Sequence, residues 1–340
     1  MDVVGRYALT LIAGFGIALA ATPLSARLGH RLGIVARPGG RRQHQGDISR
    51  LGGVGLAAGF FGALLVAYLR PLPTADPKEA TRLAGLILGG LLAFALGVAD
   101  DRFDLPPGAQ YAGYLLVSGI AIASLIILER FNHPVTGQTL VLPTLLYVPL
   151  SAFWMTGMIV TVNWLDGLDG LAAGVAAILA AILSLHMIQV GQFSVAPQAL
   201  ALLGAALGFL VYNVAPARVF LGSSGAFLLG YLMGALGLIA GGRVATVLLV
   251  MGIPIVDVAW TILDRWRHGD NPLRGDRRHL HFRLQDAGLA PRVIVNVYWG
   301  FCALAGTLAL LLPSGLYKLV ALALLSGATL ALLLYLSDRS

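Results

Sequence analysis

Charge is what this sequence has least of. Only 11% of its 340 residues are Asp, Glu, Lys or Arg, against about 25% in a soluble domain, whose surface must hold water. So little charge excludes a soluble fold of this length, because most of the surface must face something other than water. Cysteine is nearly absent: Cys302 stands alone, so no intrachain disulfide exists and no redox compartment is encoded. Acids are scarcer than bases, 16 against 23, but the net charge of +7 matters less than where those charges lie.

What fills the chain instead is apolar. Hydrophobic residues make up 58% and glycines number 43, with a mean hydropathy of +0.83. Abundant glycine is usual where transmembrane helices pack closely or bend. A helix needs about 20 apolar residues to cross the hydrocarbon core. About eleven such runs are present, at 7–24, 51–69, 83–99, 109–128, 144–162, 171–189, 197–213, 224–240, 244–262, 292–312 and 317–336. The expected fold is all-α, a polytopic membrane helix bundle forming a single domain over 1–340. The first run is read as a retained span, since only Asp2 and Arg6 precede or open it and basic residues follow.

Arginine sets the orientation. Arg27, Arg31, Arg37, Arg41, Arg42 and Arg50 crowd the segment 25–50, and Arg265 to Arg292 mark the segment 263–292. By the positive-inside rule both belong to the cytoplasm, which places the N-terminus outside and the C-terminus inside. The polar clusters at Asp100–Asp104, Asn163–Asp169, Asn213–Ser224 and Asp276–Arg283 all follow odd-numbered spans. All therefore emerge on the cytoplasmic face. One shared site, built from loops 25–50, 100–108, 163–170, 213–224 and 263–291, is the economical reading.

Each cluster carries chemistry. Asp100, Asp101 and Asp104 end an apolar helix; if that helix continues, Asp100 and Asp104 share a face, and a divalent cation relieves their repulsion. Asn163, Asp166 and Asp169 recur every three residues, which projects three oxygens to one side of a helical turn. Capping of the next helix explains one of these acids but not all three. The Gly222-Ser223-Ser224 run before an apolar helix makes an anion cradle or a plain N-cap. In the basic loop, His279, His281 and Arg283 suit phosphate oxygens, as do Arg41, Arg42 and His44; the competing reading is a positive-inside loop that attracts anionic lipid.

Taken together these clusters, from Arg37 to Leu284, resemble the polyprenyl-phosphate N-acetylhexosamine-1-phosphate transferase family. The resemblance implies that Asp100 and Asp101 serve catalysis and the acceptor phosphate, that Asn163 with Asp166-Gly167 and Asp169-Gly170-Leu171 serves the metal and the uridine nucleotide, and that Asn213 belongs with them. Asp100, Asn163 and Ser223 are the implied metal positions; Asp166, Asp169 and Asn213 are those of the nucleotide. His279, His281 and Arg283 resemble the family's His-Ile-His-His-Arg element, which grips diphosphate or sugar and points away from the muramoyl-pentapeptide branch. Phe282 replaces its third histidine. More consequentially, Ser223 stands where the family usually has an Asp that ligates magnesium.

The implied activity is transfer of N-acetylhexosamine-1-phosphate from a UDP-sugar to undecaprenyl phosphate, with release of UMP and Mg²⁺ as cofactor (Mn²⁺ substituting). The implied location is the bacterial inner membrane, among membrane lipid, with a homodimer as an open arrangement and no nucleic acid as partner. Two rivals stand beside it. A catalytically impaired relative is motivated by Ser223. A transporter fits the many spans, but transporter sites sit near the midplane between repeated halves, and these acids cluster at one face without a convincing repeat.

Overall fold

The computed structural model describes residues 2–36, 46–134, 136–241, 243–271, 278–312 and 315–337; Arg41, Arg42 and His44 lie outside the described residues. The chain is an all-α polytopic membrane protein. Its helices are α1 (Val3–Leu32), α2 (Gly52–Tyr68), α3 (Glu79–Phe103), α4 (Pro107–Ala123), α5 (Thr144–Leu165), α6 (Leu171–Gln189), α7 (Ala196–Asn213), α8 (Gly222–Ile239), α9 (Val244–Val250), α10 (Gly252–Arg267), α11 (Leu280–Asp286), α12 (Pro291–Leu311) and α13 (Gly315–Ser337). Among the described residues eight are long and apolar enough to cross a membrane, and a ninth span is counted if α9 and α10 act together. Both α2 and α4 are shorter, at 17 residues each.

All eleven apolar runs are helical over most of their length, and the differences have local causes. The run expected at 109–128 stops at Ala123, where Leu125 takes a positive φ of 60°. Residues 126–129 form no regular element and lead into β3 (Arg130–Asn132), paired antiparallel with β4 (Thr139–Val141). Leu128 donates its N–H to Ser151 Oγ at 2.8 Å, which ties this stretch to a side chain of α5. The run at 244–262 is broken by 80° between α9 and α10. Pro254 lacks the N–H that would bond to the Val250 carbonyl, and its ring crowds that oxygen, so α9 ends at Val250.

At the centre lies α8. Its span is 94% buried, as expected of a helix apolar all round, and α2, α3 and α5 pack against it. Tyr231, the bulkiest side chain on α8 and wholly buried, donates its hydroxyl to the Gly85 carbonyl of α3 at 2.6 Å.

Helix ends meet at one end of the bundle. There β1 (Val35–Ala36) pairs antiparallel with β2 (Ile48–Ser49). Phe220 donates its N–H to the Ser49 carbonyl at 2.9 Å, and Gly52 and Gly53 return N–H bonds to the carbonyls of Phe220 and Leu221. The C-termini of α1, α3, α5 and α7 gather here with the N-termini of α2, α6 and α8. From this end α8 rises about 27 Å, so α9 begins at the far end, whereas His279, beyond α10, is back beside Trp164 of α5. The bent pair therefore joins the two ends of the bundle as a broken span.

Replacing Tyr231 with Phe removes the one bond from α8 to the Gly85 carbonyl while keeping the packing. The expected loss is about 1 kcal/mol, read as a fall of about 2–4 °C in detergent melting temperature; an unchanged midpoint contradicts the role given to this contact.

Candidate active site

The site is assembled around a buried carboxylate. Asp101, on the last turn of α3, accepts the N–H of Ser223 on Oδ1 and that of Ser224 on Oδ2, both at 2.9 Å. These N–H groups open α8 and have no partner within that helix. Gly222, just before them, has a φ of 70°, and any Cβ there would collide with the Arg50 carbonyl and press on the Asp101 carboxylate. Arg50 supplies the counter-charge: its guanidinium lies 3.3 Å from Asp101 and 3.5 Å from Asp104. The helix does not continue through Asp104. It stops at Phe103 and Asp104 adopts a left-handed cap, so Asp100 and Asp104 share no helical face, and Arg50 instead links Asp104 to Asp101.

Asp100 points elsewhere. Its Oδ1 accepts the Leu105 N–H at 3.1 Å and the Gln110 amide at 2.8 Å, tying α3 to the start of α4.

Beside this anchor opens a cavity of about 410 Å³, lined among others by Arg50, Asn163, Asp166, Asp169, Ser223 and Phe282. That size lies in the range of small-molecule sites. Asn163 belongs to the last turn of α5, which ends at Leu165, and the turn that follows delivers Asp166 and Asp169. The three oxygen-bearing residues thus face one cavity, as their spacing predicts. Asp169 accepts the Ala217 N–H on Oδ2 at 2.9 Å. Asn213 serves the frame: Oδ1 accepts the Gly170 N–H and Nδ2 donates to the Val219 carbonyl, clamping the two loops together.

Asp166 is the unsettled charge. Burial, then the carboxylates of Asp101 and Asp169, push its carboxyl up to about 7, with Arg50 opposing them. Burial and like charge thus favour its protonated form, and a cation in the cavity would discharge it.

The histidine segment closes one wall. His279 and His281 are buried, with parallel rings whose centroids lie 5.7 Å apart. A Cβ at Gly167 would collide with the His281 imidazole, so this glycine lets the ring sit against the Asp166–Gly170 turn. Phe282 and Gln285 reach the cavity. Arg283 does not: its Nε donates to the Arg278 carbonyl at 2.7 Å and it pairs with Asp264 at 3.5 Å.

The profile for glycosyl transferase family 4 matches residues 83–241. A decaprenyl-phosphate N-acetylglucosaminephosphotransferase of Mycolicibacterium smegmatis is 30% identical over 79% of this chain and 73% of its own length. The chain belongs to glycosyl transferase family 4. Among other members, a protein of Bacillus subtilis named probable undecaprenyl-phosphate N-acetylglucosaminyl 1-phosphate transferase is 27% identical over 86% of this chain and 81% of its own. A phospho-N-acetylmuramoyl-pentapeptide-transferase of Synechococcus is 30% identical over 83% and 81%.

In this family member the structure brings Asn163, Asp166, Asp169, Asn213 and Ser223 to the cavity wall, with Asp101, His279 and His281 directly behind it. Asp100 and Arg283 are absent from the wall. Sequence reasoning did not single out Asp257 and Asp264 of α10, although an acid inside an apolar run is itself a signal.

Because its folded value lies above the ordinary carboxylate range, Asp166 retains a proton in the folded protein that the unfolded chain releases between about pH 4 and 7. Its contribution to stability is thus full below pH 4 and is lost as pH rises through 7. Asp166→Asn is expected to stabilise the protein at pH 8, by about 1 kcal/mol after solvent screening, and to have no such effect near pH 4. Melting curves at both pH values check this, and an equal shift at each would contradict it.

Proposed function

We propose that this chain transfers N-acetylhexosamine-1-phosphate from a UDP-sugar to undecaprenyl phosphate, releasing UMP, at the cytoplasmic face of the bacterial inner membrane. Membership of the family and the names of its relatives support the reaction class. The observation that carries the reading is the cavity at one end of the bundle, where Arg50, Asn163, Asp166 and Ser223 share a wall backed by the histidine pair.

The chemistry follows from the substrates. An oxygen of the lipid phosphate attacks the sugar-linked phosphorus, and the bond from that phosphorus to the bridging oxygen of UMP breaks. A phosphate monoester, with a second pKa of about 6, is already mostly ionised at neutral pH, so strong base catalysis is unnecessary. Alignment and charge neutralisation dominate. Asp101, with both oxygens engaged, is better placed to hold Arg50 toward the cavity than to accept a proton. Arg50 offers guanidinium donors to phosphate oxygens.

The residues suit a divalent cation completed by the substrate. Among the described residues no group of three His, Cys, Asp or Glu side chains stands ready to hold a metal. Mg²⁺, however, takes one or two carboxylates and fills its remaining positions with water and phosphate. Asp166, with Asn163 and the Ser223 hydroxyl, would hold it, and the under-compensated charge of Asp166 favours a cation there. When bound, Mg²⁺ or Mn²⁺ supplies neutralisation of diphosphate charge. Ser223 contributes no charge of its own, which favours a second reading, a member of reduced activity.

One assay addresses both readings. Purified protein with undecaprenyl phosphate, Mg²⁺ and several UDP-N-acetylhexosamines is expected to release UMP. Ser223→Asp is expected to lower the Mg²⁺ needed for half-maximal rate about tenfold, the equivalent of 1.4 kcal/mol. Release by the Asp form alone would establish the impaired reading, and release by neither would defeat the proposal.

Orientation is tested separately in a Cys302→Ser background. A membrane-impermeant maleimide is expected to label Thr136→Cys, beside the far-end hairpin, in intact spheroplasts, and Gly108→Cys only after lysis. The reverse pattern would invert the topology.

A further inference from the structure

Two acids on α10 have no part in the cavity wall yet are buried. Asp257 and Asp264 are seven residues apart, hence on one face of the helix, and are 3% and 8% exposed. An ionised carboxylate within a membrane helix is retained only with partners. Asp264 meets Arg283 at 3.5 Å and Arg278 at 3.8 Å. Asp257, two turns earlier, accepts the Leu280 N–H on Oδ1 at 2.7 Å and lies 3.0 Å from His279 Nδ1 through Oδ2. Between them the two acids grip both halves of the segment 278–283.

The contact at Asp257 continues inward. The His279 ring lies against Trp164 on the last turn of α5, with centroids 5.2 Å apart, and Arg265 of α10 sits over the same indole at 4.7 Å. His279 stacks on His281 at an interplanar angle of 4°. His281 in turn abuts Gly167, the neighbour of Asp166. A continuous line of contacts thus runs from Asp257 through two imidazoles to the turn that carries Asp166.

We propose that Asp257 is a positioning residue for the transfer reaction: it holds His279 with the proton on Nδ1 and thereby seats His281 against the Asp166–Gly167 turn. The proposal rests on the transferase reading above for its catalytic consequence, but its structural half is independent of that reading. A carboxylate only accepts hydrogen bonds, so the nitrogen facing it must donate. The carboxylate–histidine pair fixes both tautomer and ring orientation, as it does for histidines that ligate metals.

Asp257→Asn separates this role from packing. The backbone N–H of Leu280 obliges the amide oxygen to stay where Oδ1 was, which turns the amide NH₂ toward His279. That nitrogen then becomes an acceptor, for the amide and for the Thr261 hydroxyl 3.5 Å away, and the proton moves to Nε2. Solution or solid-state ¹⁵N spectra of imidazole-labelled protein, with His279→Gln for assignment, are expected to show Nδ1 protonated in the parent protein and Nε2 alone protonated in Asp257→Asn. UMP release is expected to fall about 10–100-fold, the range for loss of an orienting partner. His279→Gln should fall similarly, and the double variant no further, because the two residues act as one unit.

A parent spectrum without a proton on Nδ1 overturns the proposal, as do additive losses in the double variant or full activity in Asp257→Asn with the tautomer inverted. Should Asp257→Asn fail to fold, the parent spectrum and His279→Gln still decide. Absence of UMP release from the parent protein and from Ser223→Asp defeats the transferase reading and the catalytic half of this proposal, while the spectra still judge the Asp257–His279 bond.

Discussion

The rest of the structure depends on one buried carboxylate holding the start of one helix. Asp101 accepts the Ser223 and Ser224 N–H groups in the first turn of α8 and is balanced by Arg50. Hydrogen bonds to a charged group contribute about 1.5–3 kcal/mol each, and here they also set geometry. They bind the end of α3 to the beginning of α8, and through Arg50 they bring the segment before α2 to the same point. A helix N-terminus is ordinarily an anion site. In this protein the anion is supplied from within, so an incoming phosphate must find its cation elsewhere on the wall, and among the described residues Arg50 is the cation that lines the cavity.

That arrangement leaves negative charge unbalanced one layer out. Asp101 and Asp169 each have hydrogen-bond donors, whereas Asp166 is acted on by burial and by repulsion from those two acids, opposed by Arg50. Such a group is a poor choice for stability and a good one for binding cations, a pattern typical of sites where function is retained against folding. Under the cation reading proposed above, Ser223, at the mouth of α8, is the position where additional negative charge is expected to strengthen the same site. The histidine pair, wedged against Gly167, then gives the turn a rigid back.

Much of the bundle was legible in the sequence. Apolar length located the helices, and the positions of polar clusters after alternate spans foretold that Arg50, Asp101, Asn163, Ser223 and His281 would gather at one end. The triplet spacing of Asn163, Asp166 and Asp169 foretold a common face. What composition could not reveal is which partner each polar atom takes. Asp100 and Asp101 look equivalent along the chain, yet one braces the neighbouring α4 and the other caps α8, whose start lies more than a hundred residues away. Likewise Arg283 looks like a phosphate ligand until Asp264 is seen to engage it. The break at Met251 and the β3–β4 hairpin were hidden by hydropathy itself, since Pro254 and Ile126–Leu128 sit inside apolar runs whose average does not register a missing N–H or a change of backbone.

On the reading proposed here, loops remote in sequence form one receptor for a nucleotide diphosphate next to the α8 anchor. A structure determined with UDP-N-acetylglucosamine and Mg²⁺ tests this most directly. The diphosphate is expected between Arg50 and the Asn163–Asp166 turn, with the cation on Asp166 and the Asp101 carboxylate still on the Ser223 and Ser224 N–H groups. Diphosphate bound at the opposite end of the bundle, or Asp101 released from α8 to ligate the cation itself, would contradict it.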